Sequence, residues 1–262
     1  MERTKLIDEA CTVVSNNQVG PGLHLVRLRS PRIASSLAPG QFVHMAIPGM
    51  EGHVLRRPFS VYRCNEAAGT LDIIYQVVGF GTEHMTSFAE GAQASIIGPV
   101  GNGWRLPEGA RKILLVGGGV GAAPLFMLAE ELCGGCVDAK VVLGAQTRAA
   151  LVTFEDYCAL EGLAVVAATD DGSFGHAGFC TQPAQDAIAQ GDVDFVACCG
   201  PEPLMRIVAS MAAEAGIPCQ VSMERRMACR VGACISCVVE TTEGKRRSCI
   251  DGPVFDAEKV VW

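Results

Sequence analysis

The sequence predicts three parts in series. These are a β-barrel domain over residues 1–103, an α/β domain with a parallel sheet over 104–222, and a small cysteine-rich extension over 223–262. Three observations lead there. Short alternating runs punctuated by Gly and Pro fill the N-terminal part. From Lys112 onward, apolar strand-length runs alternate with helical periods. Four of the thirteen cysteines then crowd the C-terminal part, where both periods fade.

The barrel rests on runs such as Gln41-Phe-Val-His-Met-Ala-Ile47 and Thr70-Leu-Asp-Ile-Ile-Tyr-Gln-Val-Val78, separated by Pro39-Gly40, Pro48-Gly49 and Gly98-Pro99. Evenly spaced short strands of this kind close on themselves more readily than they form an open sheet. Lys112-Ile-Leu-Leu-Val116 is a continuous apolar run, as expected of a parallel strand covered on both faces. Further strand-like runs fall at 140–143, 163–168 and 194–198. A helix is expected from about Ala122 to Cys133. A second covers Glu202 to Ala215, with Leu204, Ile207, Val208, Met211 and Ala215 on its inner face. Alternating β and α elements imply a parallel sheet flanked by helices.

The chain has 262 residues, enough for two domains, with 49% hydrophobic and 19% charged residues. A net charge of −7 argues against a nucleic-acid ligand, whose phosphates demand a basic face. Met1-Glu-Arg-Thr-Lys-Leu-Ile-Asp8 is charged and does not read as a signal peptide, and no apolar run nears the ~20 residues of a membrane span. A cytoplasmic protein is expected, with reduced thiols. Nine cysteines are scattered (Cys11, Cys64, Cys133, Cys136, Cys158, Cys180, Cys198, Cys199 and Cys219) and read as small buried hydrophobes.

The other four are spaced for chemistry. In Met227-Ala-Cys229-Arg-Val-Gly-Ala-Cys234-Ile-Ser-Cys237, four residues and then two separate the cysteines, and Cys249 follows after eleven more. This is the plant-type [2Fe–2S] spacing. Two sulfide-bridged irons need two thiolates each, from a short loop whose amides face the sulfurs. Ala228, Gly232, Ala233 and Ser236 are small enough to allow that approach. Zinc also accepts four thiolates, but its sites usually pair two C-x₂-C turns, which this segment lacks. Eleven residues before Cys249 are too few for an ordinary ferredoxin domain, so a compact cluster-binding extension is expected.

Val116-Gly117-Gly118-Gly119-Val120-Gly121-Ala122 follows a strand and opens a helix. Gly117, Gly119 and Ala122 fit a dinucleotide turn that seats a pyrophosphate on the helix N-terminus. The usual ribose-binding acid after the second strand is missing, with Gly144-Ala-Gln-Thr-Arg148 in its place, so a plain tight turn remains an alternative. Leu55-Arg56-Arg57-Pro58-Phe59-Ser60 sets an arginine and a serine beside a φ-locked proline, suited to a flavin diphosphate and ring edge. An arginine pair on a solvated surface is the other reading.

These pieces, in order, resemble the ferredoxin–NADP⁺ reductase superfamily over nearly the whole chain, and within it the electron-transfer subunits of dihydroorotate dehydrogenase B. The resemblance is carried by Pro39-Gly-Gln-Phe42, Arg57-Pro-Phe-Ser60, Gly79-Phe-Gly-Thr82, Gly98-Pro-Val-Gly-Asn102, Gly117-Gly-Gly-Val-Gly121, Asp170-Asp-Gly-Ser173, Cys199-Gly-Pro201, the cysteine cluster and Asp251-Gly-Pro253. It implies a flavin barrel in which Arg57, Pro58, Phe59 and Ser60 bind FAD. Ile74, Tyr75 and Gln76 would flank the flavin, and Gly81 and Thr82 would hold its phosphates. It implies that Gly117, Gly118, Gly119 and Gly121, with Gly200 and Pro201, frame NAD, and that Cys199 lies near hydride transfer as the catalytic residue. Cys229, Cys234, Cys237 and Cys249 would ligate the cluster.

The implied function is electron transfer in pyrimidine biosynthesis. A partner FMN-containing dihydroorotate dehydrogenase catalytic subunit, in a heterotetramer, would supply electrons through [2Fe–2S] and FAD to NAD⁺. Two alternatives are weighed. The small subunit of an NADH-dependent ferredoxin:NADP⁺ oxidoreductase or sulfide dehydrogenase would tend to carry aspartate where Cys229 stands. A non-catalytic iron–sulfur redox sensor would need neither flavin motif nor glycine turn. Arg230 departs from the family's usual glycine and puts the loop's backbone geometry in doubt. The cluster segment is also locally basic, with Arg225, Arg226, Arg230, Lys245, Arg246 and Arg247, which suggests stabilisation of the cluster, a docking face, or a solvated loop.

Overall fold

The structure is a computed structural model that describes residues 5–50, 52, 55–133, 135 and 137–262. The readings made for Cys136 and for residues 1–4 lie outside these residues.

The N-terminal part is a seven-stranded antiparallel, barrel-like sheet. Its strands are β1 (Ile7–Gly20), β2 (Leu23–Arg29), β3 (Phe42–Ala46), β4 (Arg57–Ser60), β5 (Arg63–Asn65), β6 (Thr70–Gln76) and β7 (Gln93–Val100), in the order β4-β3-β7-β1-β2-β6-β5. Two short helices, α1 (Pro31–Ala34) and α2 (Phe80–Met85), fill its corners. Period-two alternation closes the core: Val26, Leu28, Val43, Met45, Leu71, Ile73 and Ile96 are all completely buried. A buried carboxylate begins α1, where Glu9 accepts from Ser30 Oγ at 2.5 Å and from the backbone amides of Arg32 and Ile33 at 3.2 and 3.0 Å. These bonds satisfy donors that a helix start leaves without partners.

The second sheet comprises β8 (Lys112–Gly118), β9 (Asp138–Ala145), β10 (Leu163–Thr169), β11 (His176–Ala177), β12 (Phe195–Cys199), β13 (Cys219–Ser222) and β16 (Val254–Asp256). Its order is β11-β10-β9-β8-β12-β13-β16, parallel except for β16. Helices α3 (Ala123–Cys133), α4 (Phe154–Cys158), α5 (Thr181–Ala189) and α6 (Glu202–Glu214) cover it. Leu114, Leu115 and Val116 are wholly buried, as a doubly covered strand requires.

Two expectations need correction. On α6 the buried stripe is Met205, Val208, Ala209 and Ala212, while Ile207 is exposed and Ala215 lies outside the helix. Small alanines let the helix approach the sheet, and that requirement outweighs the larger apolar side chains one position away. The C-terminal segment is also more regular than its composition suggests. It holds a hairpin, β14 (Val238–Thr241) and β15 (Gly244–Arg247), and it contributes β16 to the edge of the parallel sheet. Val239, Phe255, Ala257 and Val260 join the core on one face of that sheet, so the segment borrows a core it could not build alone.

The two sheets share a packed boundary. Tyr62 and Ile74 of the barrel lie in one cluster with Phe126, Tyr157 and Cys199 of the second part. Tyr62 donates to Asp156 at 2.5 Å, and its ring sits 4.7 Å from that of Phe126. Among the described residues all twelve cysteines are free. Cys158 departs from the buried reading because it is exposed at the end of α4.

Two backbone segments approach closely at the glycine turn. A Cβ on Gly121 would fall 2.5 Å from Gly200 Cα and 2.7 Å from the Cys199 carbonyl oxygen. Gly121→Ala therefore forces two backbone segments apart and is expected to destabilise the protein by about 1–3 kcal/mol, read as a lower urea midpoint. An unchanged midpoint would mean that the two turns do not touch.

Candidate functional site

The flavin-type residues gather where β4 meets the turn before α2. The two arginines of the pair behave differently. Arg56 is spent on structure, donating to Ser95 O at 2.7 Å and to Ser95 Oγ at 2.9 Å. Arg57 is half-buried and donates to the Leu55 carbonyl. A Cβ on Gly81 would sit 3.6 Å from Arg57 Nε, so this turn lies against a guanidinium, as an anionic diphosphate requires. Thr82 shapes that turn, its Oγ1 accepting from the amides of Val78 at 3.0 Å and Gly79 at 3.2 Å. Pro58 and Phe59 are partly buried and Ser60 is exposed. Along β6, Ile74 and Tyr75 are buried on opposite faces, and Tyr75 Oη donates to Asn16 at 3.1 Å. Only Gln76 of the three offers an open side chain, so Ile74 and Tyr75 would meet a flavin through their backbone.

The parallel sheet brings Gly117–Gly121 and Cys199–Pro201 together. β8 and β12 pair with Gly117 opposite Cys199. Gly118 faces Leu204 and Pro201, and Gly200 adopts φ +156 against Gly118. Gly119 takes φ +56 with no atom near its missing Cβ, which leaves room for a ligand. Cys198 and Cys199 point to opposite faces, and only Cys199 faces the side shared with Tyr62 and Ile74. Its thiol lies 3.9 Å from the Ser222 carbonyl, and burial pushes its pKa up to about 12. The group is therefore a neutral thiol, suited to contact and unsuited to covalent attack. Arg148, in the place of a ribose-binding acid, is held by Glu155, and its guanidinium stacks 4.7 Å from the Phe174 ring centroid and 5.4 Å from that of Phe154.

The cysteine loop has the features a binuclear cluster needs. The amides of Ala233 and Cys234 both point at Cys229 Sγ, each 3.2 Å away. Among the described residues no three Cys, His, Asp or Glu side chains converge as a single metal ion would require. Cys234 lies beside Cys229, and Cys249 lies beside Cys237 and also feels Cys229. The hairpin explains the short spacing, because β14 and β15 run out and back and return Cys249 beside Cys237.

The two pairs differ in environment. Cys234 is exposed and its thiol is drawn down to about 6 by the Ser236 hydroxyl and amide and by Cys229. Cys249 is buried and is pushed up to about 12 by that burial and by Cys237. Cys237 and Cys249 pack with Phe42 and Val100 of the barrel, flanked by Met227 and Ile250.

The basic composition of this segment does not make a free basic face. Arg225 pairs with Glu202, Lys245 with Glu240, Arg246 with Glu243 and Arg247 with Asp251. Arg247 is moreover a structural tie, with NH1 donating to the Gly232 carbonyl at 3.2 Å. The doubt over Arg230 is resolved in one respect: it does adopt φ +53. Sequence reasoning missed the exposed apolar residues of the loop, Val231 and Ile235, because isolated apolar side chains on a loop carry no period.

Cys234→Ser is expected to abolish cluster loading while leaving flavin bound, since the flavin cradle on β4 and α2 shares no residue with the loop. Iron, sulfide and flavin analysis of the purified variant checks this. Loss of flavin together with iron from a folded protein would show the two sites to be one.

Comparison with known proteins agrees with this geometry. Residues 10–104 match the oxidoreductase FAD-binding domain, and residues 224–261 match the iron–sulfur cluster binding domain of dihydroorotate dehydrogenase B. The electron transfer subunit of dihydroorotate dehydrogenase B (NAD(+)) of Desulforamulus reducens is 35% identical over 95% of this chain and 97% of its own. The same subunit of Caldanaerobacter subterraneus subsp. tengcongensis is 40% identical over 86% and 87%. Among solved structures, one from an NADH-dependent reduced ferredoxin-NADP oxidoreductase superposes with a TM-score of 0.88 at 28% identity, covering 96% of this chain and 89% of the other. A flavin barrel, a parallel-sheet nucleotide fold and a cysteine loop in this order, with relatives matched almost end to end, place the chain in the family of dihydroorotate dehydrogenase B (NAD(+)) electron transfer subunits.

Proposed function

We propose that this chain carries electrons from a dihydroorotate-oxidising, FMN-containing partner subunit, through its [2Fe–2S] site and FAD, to NAD⁺. The observation that carries the reading is continuity. The buried cysteine pair packs on Phe42, which pairs across β3 with Ser60 of the flavin strand. The glycine turn and Cys199 lie on the far side of the barrel boundary, in the cluster that includes Ile74. Packed and paired residues thus run between the three candidate sites, which supports an electron path through them.

FAD, when bound, supplies the exchange between one-electron and two-electron transfer. The protein's part is placement. Arg57 and the cradle at Gly81 and Thr82 hold the diphosphate. Pro58, Phe59 and Ser60 would bind the flavin on β4, and Gln76, exposed on β6, would flank it. Gly117, Gly118, Gly119, Gly121 and Gly200, with Pro201, would frame the dinucleotide, and Cys199 would stand near hydride transfer as a neutral thiol. The relatives matched almost end to end are named for NAD(+), which favours NAD over NADP.

The functional segments follow the divisions 1–103, 104–222 and 223–262. The complex is taken to hold two copies of each chain. The site of action is the cytoplasm, where the free thiols stay reduced. Among the described residues no helix is long and apolar enough to cross a membrane. The related ferredoxin-NADP oxidoreductase structure shares the fold, but the family-specific match over 224–261 and Cys229 at the first ligand position favour the dihydroorotate reading.

Two measurements test this. Chain co-expressed with a dihydroorotate-oxidising flavoprotein should reduce NAD⁺ with dihydroorotate, whereas the chain alone should support only NADH-driven dye reduction. Dye reduction without any coupled activity in an intact complex would overturn the partner assignment. Arg57→Ala should weaken FAD binding by about 1.5–3 kcal/mol, the worth of a charge-assisted hydrogen bond. Unchanged affinity by fluorescence titration would return Arg57 to a solvated-surface role.

A further inference from the structure

The residue after the first cluster cysteine is an arginine in a backbone conformation that favours glycine. Arg230 adopts φ +53 within a loop that also turns left-handed at Gly232 and Ile235. Glycine would meet this geometry without the crowding of a Cβ. A backbone requirement alone therefore does not account for arginine, and the side chain must.

That side chain is distinctive in two ways. Its Nε is buried with no hydrogen-bond partner, and among the described residues no carboxylate forms an ion pair with its guanidinium. Arg225, Lys245, Arg246, Arg247 and Lys259 of the same segment each meet an acid. Arg226, the other cation without a carboxylate, is exposed to solvent. The guanidinium also makes itself felt at the barrel. His44 on β3 is completely buried with both ring nitrogens unpartnered, and it is held down to about 4 by burial, then by Arg230 and Arg56. The imidazole is thus neutral and adds no second positive charge to that of Arg230.

We infer that Arg230 supplies the uncompensated positive charge of the cluster loop and thereby raises the reduction potential of the iron–sulfur site. A four-thiolate [2Fe–2S] centre is net negative and gains a further negative charge on reduction, so a fixed cation beside a ligand favours the reduced form. Partial burial keeps that attraction from being screened by salt as a surface charge would be. Arg230 acts through the field it sets and not by contact with substrate, which makes it a positioning residue in electrostatic terms. The inference rests on the cluster reading of Cys229, Cys234, Cys237 and Cys249.

The test is an anaerobic redox titration of the full chain, followed by electron paramagnetic resonance of the reduced cluster, for wild type, Arg230→Gln, Arg230→Gly and Arg230→Lys. Loss of charge in the Gln and Gly variants should lower the reduced-to-oxidised ratio at a fixed potential about tenfold, a downward shift of about 59 mV for one electron. The lysine variant should stay near wild type. The glycine variant separates charge from backbone strain, because it relieves φ and still removes the cation. If Gln and Gly both retain the wild-type midpoint with iron and sulfide in place, the inference is overturned. If neither of them loads iron while the lysine variant does, the charge is needed even to hold the cluster, in keeping with the inference. Failure of all three to load assigns the position a packing role and overturns it. Wild type free of iron and sulfide would instead overturn the cluster reading itself.

Discussion

The architecture depends on how its last forty or so residues dock. The Cys237–Cys249 pair sits against Phe42 and Val100 at one end of the barrel, while β16 completes the edge of the parallel sheet. One short segment therefore touches both larger parts. The contact is tight: Asn102 N donates to the Gly252 carbonyl at 2.6 Å, and Asn102 Nδ2 to that of Ile250 at 3.0 Å. A Cβ on Gly101 would lie 2.5 Å from the Gly252 oxygen. Neither the hairpin nor the cysteine loop could keep its place without these bonds, because the segment buries too little apolar surface to order itself. Electron transfer over a defined distance follows from this constraint before any cofactor chemistry is considered.

The constraint also gives several of the sequence motifs a structural role. Pro39-Gly-Gln-Phe42 is held by Gln41, whose Oε1 accepts from Ala38 N at 2.9 Å and whose Nε2 donates to the Gly101 carbonyl at 2.8 Å. Asp251-Gly-Pro253 meets Gly98–Asn102 directly, with a bridge between Asn102 and Pro253. Asp170–Ser173 forms a turn in which Asp171 accepts from the Ser173 amide and hydroxyl, and Ser173 Oγ in turn accepts from Arg148 N at 2.8 Å. Each motif fixes a distance between two elements that the site requires.

How much of this was legible in the sequence follows from range. The cysteine spacing, the glycine turn and the strands of the parallel sheet are local signals, and each lies where its pattern predicts: β8, β9, β10 and β12 match the apolar runs. The inner face of α6 was displaced by one residue because the sheet selects small side chains, and periodicity does not register that preference. The hairpin after Cys237 was invisible, since Lys245, Arg246 and Arg247 carry no alternating apolar pattern. Its strands pair because Val239 is buried beneath them and Arg247 is tied to Asp251. The basic residues read as a face when counted along the chain. In space most of them are neutralised, a property of pairs that no count of single residues reveals. Arg57 and Arg56 are adjacent and alike in sequence, and only the distance from Ser95 separates their roles.

The same geometry gives the cluster loop a polarity. Of its two thiol pairs, Cys237 and Cys249 are buried against the barrel, while Cys234 is exposed and Cys229 is partly so. The exposed apolar side chains of Val231 and Ile235 flank the outer pair, and Ile235 is held at φ +59, a conformation unfavourable for a β-branched residue. An apolar side chain kept both strained and exposed gains nothing for the isolated chain. It becomes intelligible if that surface is covered when the partner is present, because burial of the apolar side chain in a protein interface then offsets the cost. The outer pair would face the partner and the inner pair the flavin strand, so that the order of the cysteines in the loop sets the order of the electron path. The acids that neutralise Arg225, Lys245 and Arg246 fit this picture. With those charges satisfied within the chain, the exposed Arg226 and the apolar side chains of Val231 and Ile235 are what the outer face of the loop would offer a partner, while Arg230, partly buried, stands closer to the barrel.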